Sequence, residues 1–221
     1  MPFTTDLCTD TDFDRLFTII STTFTQSQPI VQAFFPRHDT PAGHIYGRER
    51  LLLSHKTDPN ARFVKATDTE SGQIVGIAKW LVLHEDPHFE VVNVGGEREE
   101  GLRDDEEREF VRELLGQYFA PRASVVRKCG GKLVVLDILA VDPAYQGRGA
   151  GSMLVQWGLD LADKLGFESL VESTVNGRAV YEKHGFRLVK PMEFEYSEKF
   201  AARQKPNIFF FRRPAKRHDD A

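Results

Sequence analysis

The chain has 221 residues, enough to bury a core without disulfide or metal staples. Apolar residues make up 41% and charged residues 28%, which excludes a disordered chain, and no stretch approaches ~20 uninterrupted apolar residues, which argues against a membrane partner. A formal net charge of −4 leaves no basic excess to drive binding to nucleic acid.

In chain order, a short strand leads to Thr9-Asp10-Thr11-Asp12, a capping cluster ahead of Phe13, Leu16, Phe17 and Ile20 at helical spacing. Pro29 to Pro41 breaks that pattern, and a second helix is expected over Ala42 to Lys56, stopping near Asp58-Pro59. Arg62–Thr67 and Gln73–Leu83 read as strands of a hairpin joined at Thr69-Glu70-Ser71-Gly72. Between Glu97 and Glu113 nine acids face four arginines, with Leu102, Phe110, Leu114 and Leu115 as a partial apolar face. The expectation is a charged helical insertion near 97–128 within a single domain, solvated or attracting cationic substrates. Lys199 to His218 carries seven Lys or Arg and no acid around the strand-like run Ile208–Phe211. Only Cys8 and Cys129 are present, with no CxxC spacing or Cys/His cluster, so no metal site is expected and a reducing compartment fits. The opening MPFTTDLCTD lacks a signal-peptide pattern, and the expectation is a cytoplasmic protein.

Leu133 to Val141 is a nearly continuous apolar run suited to a central strand, interrupted by Asp137. Asp142-Pro143 ends it, and Gln146-Gly147-Arg148-Gly149-Ala150-Gly151 opens into Met153, Leu154, Trp157, Leu161 and Leu165, an amphipathic helix closed by Gly166. A helix N-terminus leaves backbone N–H groups unpaired and carries partial positive charge, so strand, glycine turn and helix form an anion site. Glycines at 147, 149 and 151 let a pyrophosphate approach those amides, and Arg148 adds positive charge. The alternative is a tight turn packing helix on strand. No Lys follows the last Gly as in a Walker A loop, and the spacing GxGxG differs from the dinucleotide GxGxxG.

Strand Leu136–Val141, the turn Gln146-x-x-Gly149-x-Gly151 and the later Tyr181-Glu182-Lys183-His184-Gly185-Phe186, in order within 51 residues, resemble the GNAT superfamily of acetyl-CoA-dependent N-acetyltransferases. That resemblance implies an α/β (α+β) fold, a mixed, mostly antiparallel twisted sheet of about six to seven strands flanked by helices, with acyl-CoA at the splayed central strands. It implies backbone contacts from Leu139, Ala140 and Val141 to the pantetheine arm, and pyrophosphate held by the loop from Gln146 through Gly147, Arg148, Gly149 and Ala150 to Gly151. It assigns Tyr181 as the acid that protonates the departing thiolate, a task suited to a high-pKa phenol, the alternative being a core tyrosine. Relatives often carry Asn seven positions before that Tyr; here Thr174 stands there and Asn176 only five before, so either is a candidate for the cofactor contact.

The attacking amine must lose a proton, and Asp137 is the first candidate base. Strict alternation would place it on the face of Val135 and Leu139, with burial raising its pKa, the alternative being an Asp bonded to nearby backbone N–H groups. Some relatives place the base two residues earlier, where this chain has Val135. Glu172 is the second candidate, followed by His84 and Glu85. The expected reaction is direct acetyl transfer to a primary amine of a small molecule in a ternary complex, by a monomer or homodimer. Alternatives are a protein or peptide N-acetyltransferase and a CoA-binding module without turnover.

Overall fold

The computed structural model describes residues 2–24, 29–85 and 101–216. Strand β1 (Phe3–Leu7) leads to helix α1 (Phe13–Thr23), whose entry is fixed by Thr9 N donating to Asp12 Oδ2 at 2.7 Å. The spacing of Phe13, Leu16, Phe17 and Ile20 buries one face of α1 as expected, joined by Ile19. An unexpected short helix, α2 (Pro29–Phe34), occupies part of the stretch read as a break. Proline suits a helix's first turn, but six residues cannot hold a helix alone. Arg103 donates to the carbonyls of Gln32 and Ala33, and Arg50 to that of Phe34, so the orphan C-terminal carbonyls of α2 are satisfied from outside.

Helix α3 (Pro41–Thr57) is capped by Thr40 Oγ1, which accepts from Gly43 N at 3.1 Å. It lies so close on α1 that a Cβ at Gly47 would fall 1.9 Å from the Phe17 ring. Strands β2 (Ala61–Asp68) and β3 (Ile74–Leu83) form the expected hairpin, with Asp68 Oδ1 accepting from Glu70 N and Ser71 N. Helix α4 (Asp105–Lys128) carries the charged run from Asp105 onward; Glu97, Glu99 and Glu100 lie outside the described residues. Asp105 is fully exposed, while other acids of this helix have partners outside it. Glu109 pairs with Lys199 at 2.6 Å, Glu107 with Arg203 at 2.9 Å, and Glu113 accepts from Ser197 N and Oγ at 2.6 and 2.9 Å. The acidic and basic runs of the sequence are thus partners.

The remaining elements are β4 (Leu133–Val141), α5 (Ala150–Leu165), β5 (Glu168–Thr174), α6 (Arg178–Lys183), β6 (Arg187–Pro191) and β7 (Ile208–Arg213). Among the described residues seven strands make one mixed, mostly antiparallel sheet in the order β1-β2-β3-β4-β5-β7-β6, in which β4 and β5 are the parallel neighbours. One core lies between the sheet and α1 to α4, the other under α5 and α6. Helix α5 sits on Trp80, which donates Nε1–H to the Leu154 carbonyl, and a Cβ at Gly158 would lie 2.0 Å from its indole. Among the described residues no helix is long and apolar enough to cross a membrane.

Candidate active site

The parallel ladder between β4 and β5 is short. Its pairs run from Leu133↔Glu168 to Leu136↔Val171 and then stop, leaving the C-terminal halves of both strands unpaired with each other. On the other edge of β4, Lys79 pairs with Ile138 and Trp80 with Leu136, so Asp137 is an extra residue, a β-bulge. The bulge changes which side faces which core. Leu133 and Val135 face the α1 to α4 side, yet Leu139 and Val141 pack on the α5 side. The expectation that Asp137 shares a face with both Val135 and Leu139 therefore fails, because one inserted residue shifts the alternation by one.

Asp137 and Glu172 are the first residues beyond the last pair, and both point toward α4. Arg122, which is 1% exposed, donates Nε and Nη2 to the two oxygens of Glu172 at 3.0 and 2.6 Å, and Nη1 to Asp137 Oδ1 at 2.9 Å. Lys79 takes the other oxygen, Oδ2, at 3.0 Å. Burial would raise the Asp137 carboxyl, but the fields of Lys79 and then Arg122 more than reverse it and hold the group far below the usual carboxylate range. This reverses the ionisation expected for a general base. Burial likewise disfavours the Arg122 cation, and Glu172 and Asp137 overcome that cost. The sequence reading missed Arg122, although its signal was there: Val111, Leu114, Leu115, Tyr118, Arg122 and Val125 recur at helical spacing, placing one arginine in an apolar stripe.

A cavity of about 870 Å³ passes through this fork from one side of the sheet to the other. Its α5 end is lined by Gln146, Gly147, Gly149, Ala150, Gly151 and Ser152, and by Gly177, Ala179, Val180, Tyr181 and Lys183 around α6. Helix α5 begins at Ala150, and the first intrahelical acceptor in this turn is Gly149 O, used by Met153 N, so the amides of Ala150, Gly151 and Ser152 are unspent. Gly147 and Gly149 have φ of 73° and 102° with nothing within 4 Å of where a Cβ would sit, so glycine is needed and the backbone faces open space. Leu139, Val141, Thr174 and Asn176 also line the cavity. Ala140 is buried, and the Val141 carbonyl already accepts from Thr23 Oγ1 at 3.0 Å and Gln146 Nε2 at 2.9 Å. The Arg148 side chain lies outside the cavity wall. Its guanidinium stacks over Tyr145 and Phe3 at 5.0 and 5.5 Å and approaches Asp68 at 3.8 Å, so the expected fixed charge on a pyrophosphate is turned elsewhere.

Tyr181 is buried beside Phe186, with ring centroids 5.9 Å apart, and packs so tightly on Gly177 that a Cβ there would lie 2.7 Å from its ring. Burial pushes its phenol well above the ordinary value. From the other side of the sheet come Tyr118, Asp137, Ile138 and Glu172, with Phe24, Ile30, Val31, Phe34 and Phe35 from α1, α2 and the residues that follow them. Burial, then the negative field of Glu172, pushes the Tyr118 phenol up, and Tyr181 also acts on it across the gap. His84 and Glu85 follow β3 at the end where Leu83 pairs with Leu133, away from the fork, and the cavity does not reach them. Burial pushes the Cys8 thiol up to about 12 and also raises Cys129; neither thiol lines the cavity. Among the described residues no group of three His, Cys, Asp or Glu is placed to hold a metal.

A family profile described as the acetyltransferase (GNAT) family matches residues 28–186. An acetyltransferase of Stachybotrys chartarum is 28% identical over 163 residues, covering 71% of this chain and 69% of that protein. Among solved structures, arylalkylamine N-acetyltransferase 2 from Aedes aegypti superposes with a TM-score of 0.65 at 16% identity, covering 98% of this chain and 100% of the other. A phosphinothricin acetyltransferase from Sinorhizobium meliloti in complex with AcCoA gives 0.56 at 15% identity, covering 97% and 89%. With the fork, the glycine turn at the head of α5 and the buried tyrosine on α6 all inside the matched segment or at its edge, the chain belongs to the acetyltransferase (GNAT) family and is an N-acetyltransferase.

Proposed function

We propose that this protein transfers an acetyl group from acetyl-CoA to a primary amine of a small molecule, by direct attack in a ternary complex. The observation that carries the reading is the passage through the β4–β5 fork, which joins an anion-binding helix end and a protonated phenol on one side of the sheet to a walled chamber on the other. The donor end fits: three unspent amides and two glycines that leave backbone exposed suit phosphate oxygens, and the open edge of β4 beyond Leu136 suits an extended arm. Acetyl-CoA supplies an activated acyl thioester there.

The chain's own groups divide the remaining work. Tyr181 keeps its proton at Oη until a strong base, the departing thiolate, lies beside it, because burial holds its pKa high. Backbone N–H groups on β4 beyond the fork are donors for a developing oxyanion. Asp137 stays ionised beside Lys79 and Arg122, and the carboxylate oxygens of Asp137 and Glu172 orient the amine through its N–H, whose proton leaves through water. Both cysteines are free thiols, and Cys8 is held protonated, which supports direct attack over an acyl-cysteine route. They also support a reducing, cytoplasmic setting. Ile30, Val31 and Phe34 of α2 and Tyr118 of α4 line the acceptor side, which supports a small acceptor in a single working domain.

Thermal unfolding with acetyl-CoA, with NAD and ATP as controls, tests this. A ligand at a hundred times its Kd stabilises by about 2.7 kcal/mol, worth several degrees in a chain of this size. The expected result is a shift with acetyl-CoA alone, followed by thiol release with an amine; no shift at saturating acetyl-CoA would overturn the reading.

A further inference from the structure

We infer that the acceptor is a monoamine on an uncharged, apolar body, and that a second charge of either sign on the acceptor is rejected. The inference rests on the acetyl-transfer reading and specifies its substrate. On the acceptor side the walls nearest the fork are Phe24, Ile30, Val31, Phe34, Phe35 and Ile138, all carbon at their tips. Among the described residues, the ionisable groups lining this side are Asp137, Glu172 and the phenol of Tyr118.

The two carboxylates are already neutralised. Each Asp137 oxygen meets a different cation, and both Glu172 oxygens meet Arg122, while Arg122 and Lys79 stand behind the carboxylates rather than at the wall. The four charges sum to zero. Such a cluster offers lone pairs to one amine N–H but no uncompensated negative charge for a second ammonium. An acceptor carboxylate fares no better. The lining cation is Lys183, which stands on α6 next to His184, and His184 Nε2 meets Ser152 Oγ of the α5 turn at 2.7 Å, so Lys183 belongs to the phosphate end. Arg50 and Arg103 are spent on the carbonyls of α2, and Arg50 stacks over Phe34 and Phe35 from outside the cavity. An unpaired charge in an apolar chamber is costly, whereas an aromatic or alkyl body gains by leaving water.

The experiment is thiol release from acetyl-CoA with four acceptors: phenethylamine, hexylamine, agmatine and phenylalanine. Phenethylamine adds no second charge, hexylamine tests apolarity without a ring, agmatine adds a cation and phenylalanine adds a carboxylate to the same body. The expected kcat/KM for phenethylamine and hexylamine exceeds that for agmatine and phenylalanine by about a hundredfold or more. A Phe24→Asp variant, which adds a carboxylate to the wall away from Arg50, should shift the agmatine to phenethylamine ratio toward agmatine by at least about tenfold. Agmatine or phenylalanine matching the uncharged amines would overturn the inference, as would a Phe24→Asp variant that turns over with an unchanged ratio. An enzyme stabilised by acetyl-CoA that accepts none of the four overturns the inference and leaves acetyl-CoA binding standing; failure of acetyl-CoA to stabilise the protein removes both.

Discussion

Asp137 and Glu172 stand where the next pair of the parallel ladder would form after Leu136 and Val171, and both carboxylates end on one guanidinium, Arg122. Two like charges side by side oppose continued pairing, and an arginine seated between them holds the strands apart by bonding both. Removing it leaves two buried carboxylates with only Lys79 nearby. Arg122→Leu is expected to lower stability by about 3–5 kcal/mol. In the double change Arg122→Leu with Glu172→Leu, the Asp137–Lys79 pair survives and much of that loss returns. Urea unfolding of both proteins decides the matter: an equal loss in single and double variants would refute the compensation.

The depressed pKa of Asp137 fixes a sign. Its folded value lies below its unfolded value, so its ionisation stabilises the fold fully above the ordinary aspartate range, near pH 4, and the contribution disappears as pH falls toward the folded value. Asp137→Asn should be less stable than the parent at neutral pH, and the gap should narrow on acidification. Unfolding free energies measured from pH 7 to pH 2 would contradict this if the gap stayed constant. The same ionisation means that an acid limb in the activity profile near neutral pH belongs to some other group.

Burial raises the Tyr181 pKa. Tyr181→Phe keeps the ring against Phe186 and Gly177 and deletes the proton donor. We expect kcat to fall roughly 10²- to 10⁴-fold while acetyl-CoA affinity and thermal stability stay close to the parent. A variant with parental kcat would remove Tyr181 from the reaction.

Gly147 and Gly72 supply a matched pair, with φ of 73° and 70° and open space around both. Alanine at either position costs roughly 1–2 kcal/mol of left-handed strain. Only Gly147 lines the cavity, so Gly147→Ala should also weaken acetyl-CoA binding, measured by calorimetry, whereas Gly72→Ala in the β2–β3 turn should not. Equal affinity in both variants would place the phosphate site elsewhere.

Much of this architecture is readable from local pattern. The spacing of Phe13, Leu16, Phe17 and Ile20, the hairpin turn before Gly72 and the run from Leu133 to Val141 each declare their element, because a period of 3.6 or 2 is a property of neighbouring residues. What escaped depends on distant partners. Helix α2 exists because Arg50 and Arg103 arrive at its carbonyls, and the ionisation of Asp137 is decided by Lys79 and Arg122 from other elements. Burial alone argued for a raised pKa, and only the three-dimensional neighbours reverse it. Arg148 shows the converse case, a residue correctly placed in the loop whose side chain is claimed by Tyr145 and Phe3.

The bulge at Asp137 gives β4 two consecutive residues, Asp137 and Ile138, on the α1 to α4 side, where a regular strand would have one. Deleting one residue between Leu136 and Ile138 would restore regular alternation with β3 and leave the flanking faces as they are, Leu136, Leu139 and Val141 toward α5 and Val135, Ile138 and Ala140 toward the other core. What the extra residue supplies is a second side chain at one level of the strand: Asp137 answers Arg122 while Ile138 lines the cavity, and a strand without the bulge would have one position for both tasks.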